Sequence, residues 1–256
     1  MADSSTSTGN VRSTAGFFDA TIWSTILKAK AGEGEAVRQA ALERMLARYR
    51  QPIFRHIYAS LSGPRRTSEH AEDLTQDFIH QCLRLDFLKQ VSPDVGRFRT
   101  FIKTCVKNFL RDQHVRETAE KRGAGQIPAS LDETDEDGNR LLNPAGVTVL
   151  PDRVLDREWA LSVLNQSLED LGKECAAARR EDLFEALKGH LGRVPEAGTA
   201  KEIGARLGMS EGSVHTAMNR MRKRLGELIS TEIQQTVGTE EDWREELKYL
   251  IELLGS

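Results

Sequence analysis

Along most of this chain the apolar positions recur every three or four residues, which is the pattern of helices that bury one face. The pattern starts near Phe17 and continues through Trp23, Ile26 and Leu27. After a break at Gly32 and Gly34, Leu42, Met45, Leu46 and Tyr49 share one face of a stretch from Glu35 to Leu61. Pro52 interrupts that stretch and predicts a kink or a boundary, because proline lacks the backbone donor and crowds the preceding turn. A third helix is expected from Ser68, as its N-cap, to about Leu85, with Leu74, Phe78 and Cys82 on one face. Ser92-Pro93-Asp94 and Gly96 lead into a helix over Phe98 to Glu120, whose apolar stripe is Phe101, Ile102, Cys105, Val106, Phe109 and Leu110.

The pattern stops at Gly123. Residues 123–153 combine Pro128, Pro144 and Pro151 with the acidic run Asp132 to Asp137, too polar to order as a domain, and read as a flexible linker. Residues 1–16, mostly Ser, Thr and Gly, read as a disordered tail. Helices resume over Val154–Leu171 and Arg180–Leu191, two more surround a short turn between Thr199 and Ile229, and an acidic one spans Glu240–Leu254. No strand pattern occurs. The expected fold is all-α, with two small helical domains (17–122 and 154–236), the linker 123–153 between them, and an acidic C-terminal helix in 237–256.

Composition narrows the function. The 256 residues carry 36 Lys and Arg against 39 Asp and Glu, a net charge of −3. No apolar run can span a bilayer, the N-terminus lacks a secretory pattern, and three scattered cysteines give neither a disulfide framework nor a zinc site. The expectation is a cytoplasmic protein with no membrane, metal or cofactor. A net charge of −3 argues against a nucleic-acid binder unless the cations are clustered. They are: residues 97–122 carry +5 and residues 198–230 carry +3, leaving −11 on the rest.

The densest signal is TAKEIGARLGMSEGSVHTAMNRMRKRL, residues 199–225. Gly208 suits a left-handed turn, and Gly204 is the small residue where two helices cross. Ile203, Leu207, Met209, Val214 and Ala217 fit the buried positions, and Ser210 caps the second helix. Val214, Met218, Met221 and Leu225 then face inward. Ser213, His215, Thr216, Asn219 and Arg220 project elsewhere, followed by Arg222, Lys223 and Arg224, which suits base edges and then phosphates.

In the first basic helix Phe98, Phe101 and Phe109 are expected in the core. Asn108, Arg111, Asp112 and Arg116, about one turn apart, are candidates for a nucleic-acid strand. On the third helix His70, Asp73, Asp77 and His80 fall within one arc. Set apart from the apolar face, this arc fits an exposed partner-docking stripe better than a metal site.

With these residues in view, the chain resembles bacterial RNA polymerase sigma factors of the extracytoplasmic-function type over most of its length, from about Trp23 onward. HAEDLTQDFIHQCLR is similar to the family's polymerase-docking segment. RFRTFIKTCVKNFLRDQHVRE is similar to the segment that melts and reads the −10 element, and residues 199–228 to the −35-reading helix-turn-helix. The resemblance implies a non-enzymatic specificity subunit whose partners are core RNA polymerase and promoter DNA, with an anti-sigma factor as a further candidate. By position, Asp73, Gln76 and Asp77 would contact polymerase. Asn108, Arg111, Asp112 and Arg116 would lie at the −10 strand, and Ser213, His215, Thr216, Asn219, Arg220, Arg222 and Lys223 at the −35 groove. The tail beyond residue 229 resembles a variant group with a C-terminal extension, its helix expected to pack on the second domain or meet a partner. The alternative is a helix-turn-helix regulator that acts without polymerase.

Overall fold

The computed structural model describes residues 21–28, 34–84, 96–123, 151–192 and 199–255. The expected tail and nearly all of the expected linker, with its acidic run, lie outside the described residues. Among the described residues the chain is all-α, with nine helices and no strand. In order these are α1 (Ile22–Lys28), α2 (Glu35–Ser60), α3 (Ser68–Leu83), α4 (Phe98–Gly123), α5 (Pro151–Ala177), α6 (Glu181–Leu187), α7 (Thr199–Leu207), α8 (Glu211–Gln234) and α9 (Glu240–Gly255). No helix among them is long and apolar enough to cross a membrane.

The boundaries follow local chemistry, with one correction at α3. Helix α2 continues through Pro52, so of the two expected outcomes, a kink or a boundary, the boundary does not occur. The ring is buried beside Tyr49 and Ile53, and the helix packs along α5 and α3, so tertiary contact outweighs the lost backbone bond. The N-cap of α3 is Thr67, one residue earlier than expected, and its hydroxyl accepts the His70 N–H at 3.2 Å. Helix α5 opens on Pro151, where the missing donor costs nothing because first-turn N–H groups have no helical partner.

Two apolar clusters result. The first gathers Trp23 and Ile26 of α1, the inner face of α2, Leu74 and Phe78 of α3, and Phe98, Phe101, Ile102, Val106 and Phe109 of α4. Leu155 and Trp159 at the start of α5, Ile233 at the end of α8 and Leu250 of α9 complete it. Its aromatic rings meet edge to face: Trp23 with Phe98 at 5.2 Å, Tyr49 with Phe98 at 4.8 Å and Phe78 with Phe109 at 5.4 Å. The second cluster holds Leu171 and Cys175 from the end of α5, Phe184 and Leu187 of α6, Ile203 of α7, and Val214, Met218, Met221 and Leu225 of α8. Helices α5 and α8 therefore run from one cluster into the other.

The C-terminal helix packs on the first cluster, not on the second as expected. Leu250 is buried there, with Trp243, Leu247, Tyr249 and Leu253 against it. The connector before α9 explains this placement. The Trp23 N–H donates to the Gln235 carbonyl at 3.0 Å, and the Phe98 N–H to the Thr236 carbonyl at 2.9 Å. Gly238 N–H donates to Gly96, and Thr21 Oγ1 to Val237. One short segment thus satisfies unpaired first-turn donors of both α1 and α4.

Candidate nucleic-acid interface

Helix α8 and the turn before it build the first candidate surface. Gly208 takes φ +66°, the left-handed turn that its sequence position predicts. A Cβ on Gly204 would meet the Met209 carbonyl oxygen at 2.6 Å, so only glycine lets α7 and the turn approach this closely. Met209 N–H in turn donates to the Gly204 carbonyl at 2.8 Å. Ser210 Oγ accepts the Ser213 N–H at 3.2 Å and caps α8. Ile203 and Val214 are buried at the crossing, while Leu207, Met209 and Ala217 are half-buried.

With Val214, Met218, Met221 and Leu225 buried beneath, α8 turns Ser213, His215, Thr216, Asn219, Arg220 and Lys223 to solvent. His215 lies 3.8 Å from Glu211, and the Thr216 hydroxyl donates to the Gly212 carbonyl at 2.9 Å, leaving its lone pairs outward. Arg222 departs from this face. Its Nε and Nη2 donate to the Leu191 and His190 carbonyls at 3.1 and 2.9 Å, which ties α8 to the end of the α6 region.

A trough of about 730 Å³ runs beside this face, between α8 and the α5–α6 corner. Its floor is apolar, and Ser210, Ser213, Thr216, Arg220 and Arg180 stand around it. Arg180 was not singled out from sequence, although the doublet Arg179-Arg180 at a helix end was its available signal. The corner is a Schellman turn: the Arg180 N–H donates to Cys175 and the Arg179 N–H to Ala176, with Arg179 at φ +56° where glycine is usual. Cys175, beneath, has its thiol pushed above the ordinary value by burial.

The first cluster carries two further surfaces. Asn108, Arg111, Asp112 and Arg116 are all exposed on α4, with Val115, also exposed, among them. Asp73, Gln76 and Asp77 are exposed on α3, opposite its buried Leu74 and Phe78. The three sets occupy three helices and do not converge. His70, Asp73, Asp77 and His80 remain a one-helix stripe. Among the described residues, no three His, Cys, Asp or Glu side chains come together as a metal site.

The local charge of α4 needs correcting. Arg97 pairs with Asp242 at 2.8 Å and with Glu245, and Lys103 pairs with Asp156 at 3.0 Å. Arg99, 7 % exposed, is held by Glu246 and Asp156 and lies over the Tyr249 and Trp159 rings at 4.5 and 5.0 Å. Burial acts to raise the Asp156 carboxyl, but the Arg99 and Lys103 charges and the Tyr249 hydroxyl hold it below its ordinary value. Three cations at the start of this segment therefore serve the fold, and the exposed positive charge of α4 lies further along.

No family model, curated protein or solved structure matches the chain.

Proposed function

We propose that this chain is a promoter-specificity subunit of RNA polymerase, a sigma factor of the extracytoplasmic-function type. The observation that carries the reading is α8: a capped helix that buries Val214, Met218, Met221 and Leu225 beneath it and presents Ser213, His215, Thr216, Asn219, Arg220 and Lys223 to solvent. Such a helix fits the major groove, with short polar groups on base edges and cations on phosphates. Asn219 has the amide geometry to pair bidentately with adenine. On α4, Asn108, Arg111, Asp112 and Arg116 give a second polar stripe suited to an unpaired strand, while its phenylalanines stay in the core. On α3, Asp73, Gln76 and Asp77 offer a separate acidic stripe to a basic helix of core polymerase. In this reading the chain binds and orients, and performs no covalent step.

Run-off transcription with core polymerase on genomic fragments tests it. Promoter-directed transcripts are expected, with co-purification of core that the double variant Asp73→Lys/Asp77→Lys loses. Absence of both would sink the proposal. Tight binding to a palindromic duplex without polymerase would instead favour a conventional helix-turn-helix regulator.

A further inference from the structure

The α5–α6 corner faces α8 across the trough, and the two sides match in chemistry. Hydroxyls of Ser210, Ser213 and Thr216 and the guanidinium of Arg220 line one side, and the guanidinium of Arg180 stands on the other. Both Arg180 and Arg220 are exposed, and neither forms an ion pair with another described residue. Among the described residues the only carboxylate on the rim is that of Glu174. It is taken up by Arg224, whose Nε and Nη2 reach its two oxygens at 2.8 and 2.7 Å. The trough is thus open, hydroxyl-lined and net cationic, and it is continuous with the outer face of α8.

We infer that the trough seats the sugar–phosphate backbone of duplex DNA, with Arg180 as a phosphate contact facing Arg220. This deepens the reading of α8 given above and rests on it. A helix in the major groove is flanked by the two phosphate backbones that border the groove, and a ridge beside that helix meets one of them. The α5–α6 corner is such a ridge. A phosphodiester is the occupant that two guanidiniums, one on each side and neither ion-paired among the described residues, would recognise. Of the hydroxyls between them Thr216 donates to the Gly212 carbonyl, and Ser210 and Ser213 share one hydrogen bond that leaves a single serine donor for the phosphate. The apolar floor, Leu171, Leu183 and Met221 among it, lies below and suits the sugar carbons.

The test uses the full chain and a fluorescein-labelled duplex of mixed sequence, with affinity measured by anisotropy across a salt series. Each phosphate contact contributes a slope of about −0.9 to the logarithm of affinity against the logarithm of salt. Arg180→Ala is expected to make that slope shallower by about one and to weaken binding severalfold on every sequence alike. Arg180→Lys is expected to restore most of both, which separates charge from folding, and the thermal melt of each variant is compared with that of the parent chain. An unchanged slope in Arg180→Ala, with a shallower one in Arg220→Ala, overturns the trough as a phosphate seat and leaves α8 as the reader. An equal loss in Arg180→Ala and Arg180→Lys also overturns it. Unchanged slopes in both Arg180→Ala and Arg220→Ala, or no duplex binding by the parent chain at low salt, overturn the reading of α8 itself.

Discussion

Arg99 and Glu246 meet fork to fork: Nε and Nη2 of the arginine donate to the two oxygens of the glutamate at 2.8 and 2.6 Å, 147 residues apart in sequence. Glu246 is 1 % exposed, so the pair joins α4 to α9 inside the molecule. Removing one member of a buried pair leaves the other charge unsolvated, which costs about 3–5 kcal/mol. Glu246→Ala should lower unfolding stability by that order in urea titration. Replacing Arg99, Asp156 and Glu246 together by apolar residues should cost much less.

Two glycines of the α7–α8 region should respond in opposite directions to alanine. At Gly204 a Cβ would strike the Met209 carbonyl, a backbone atom that cannot step aside, so Gly204→Ala should destabilise by about 1–3 kcal/mol. At Gly226, exposed on α8, nothing lies within 4 Å, and Gly226→Ala should stabilise by about 0.5–1 kcal/mol. Thermal melts of the two variants decide this.

Arg179 adopts the left-handed conformation, which costs a non-glycine residue about 1–2 kcal/mol. Arg179→Gly should raise the melting temperature, and Arg179→Val should lower it.

His56 gives a pH dependence. It is 3 % exposed, and its Nδ1–H donates to the Pro151 carbonyl at 2.9 Å, fixing the start of α5 on α2. Burial lowers its pKa from 6.5, with the Pro151 bond and Asp152 opposing. The unfolded chain therefore binds the proton more readily than the folded one. Stability is full above about pH 7 and falls as the pH drops through 6.5 toward the lower folded value. Melting temperatures measured between about pH 7 and pH 5 should show this slope, and His56→Gln should flatten it.

Sequence periodicity revealed what depends on near neighbours. The α7–α8 turn was legible because Gly204, Gly208 and Ser210 each act within a few residues, and the inward face of α8 because its period is local. The α4 phenylalanines were legible as core for the same reason. Pro52 does not end its helix, because its neighbours on other helices outweigh its local effect. The cations of residues 97–103 looked like part of a binding surface, since their partners lie on α5 and α9, more than 50 residues away. Spacing and the resemblance both put Arg222 with the outer face, but the long side chain curls back to carbonyls near α6. The site of α9 was hidden because its hydrophobic period says which face is buried but not against what.

The connector between α8 and α9 has a consequence for synthesis. Ile22 N–H donates to the Gln235 side chain across 213 residues, and Trp23 and Phe98 find their backbone partners in the same segment. At roughly 5–20 residues per second, translation takes about 10–40 seconds to carry the chain from the first of these donors to its acceptor. During that interval Trp23, Phe98 and Phe101 have helices to join but lack the segment that closes over them. Helix α1 waits for the segment that follows α8, and a ribosome paused before residue 235 holds an open core.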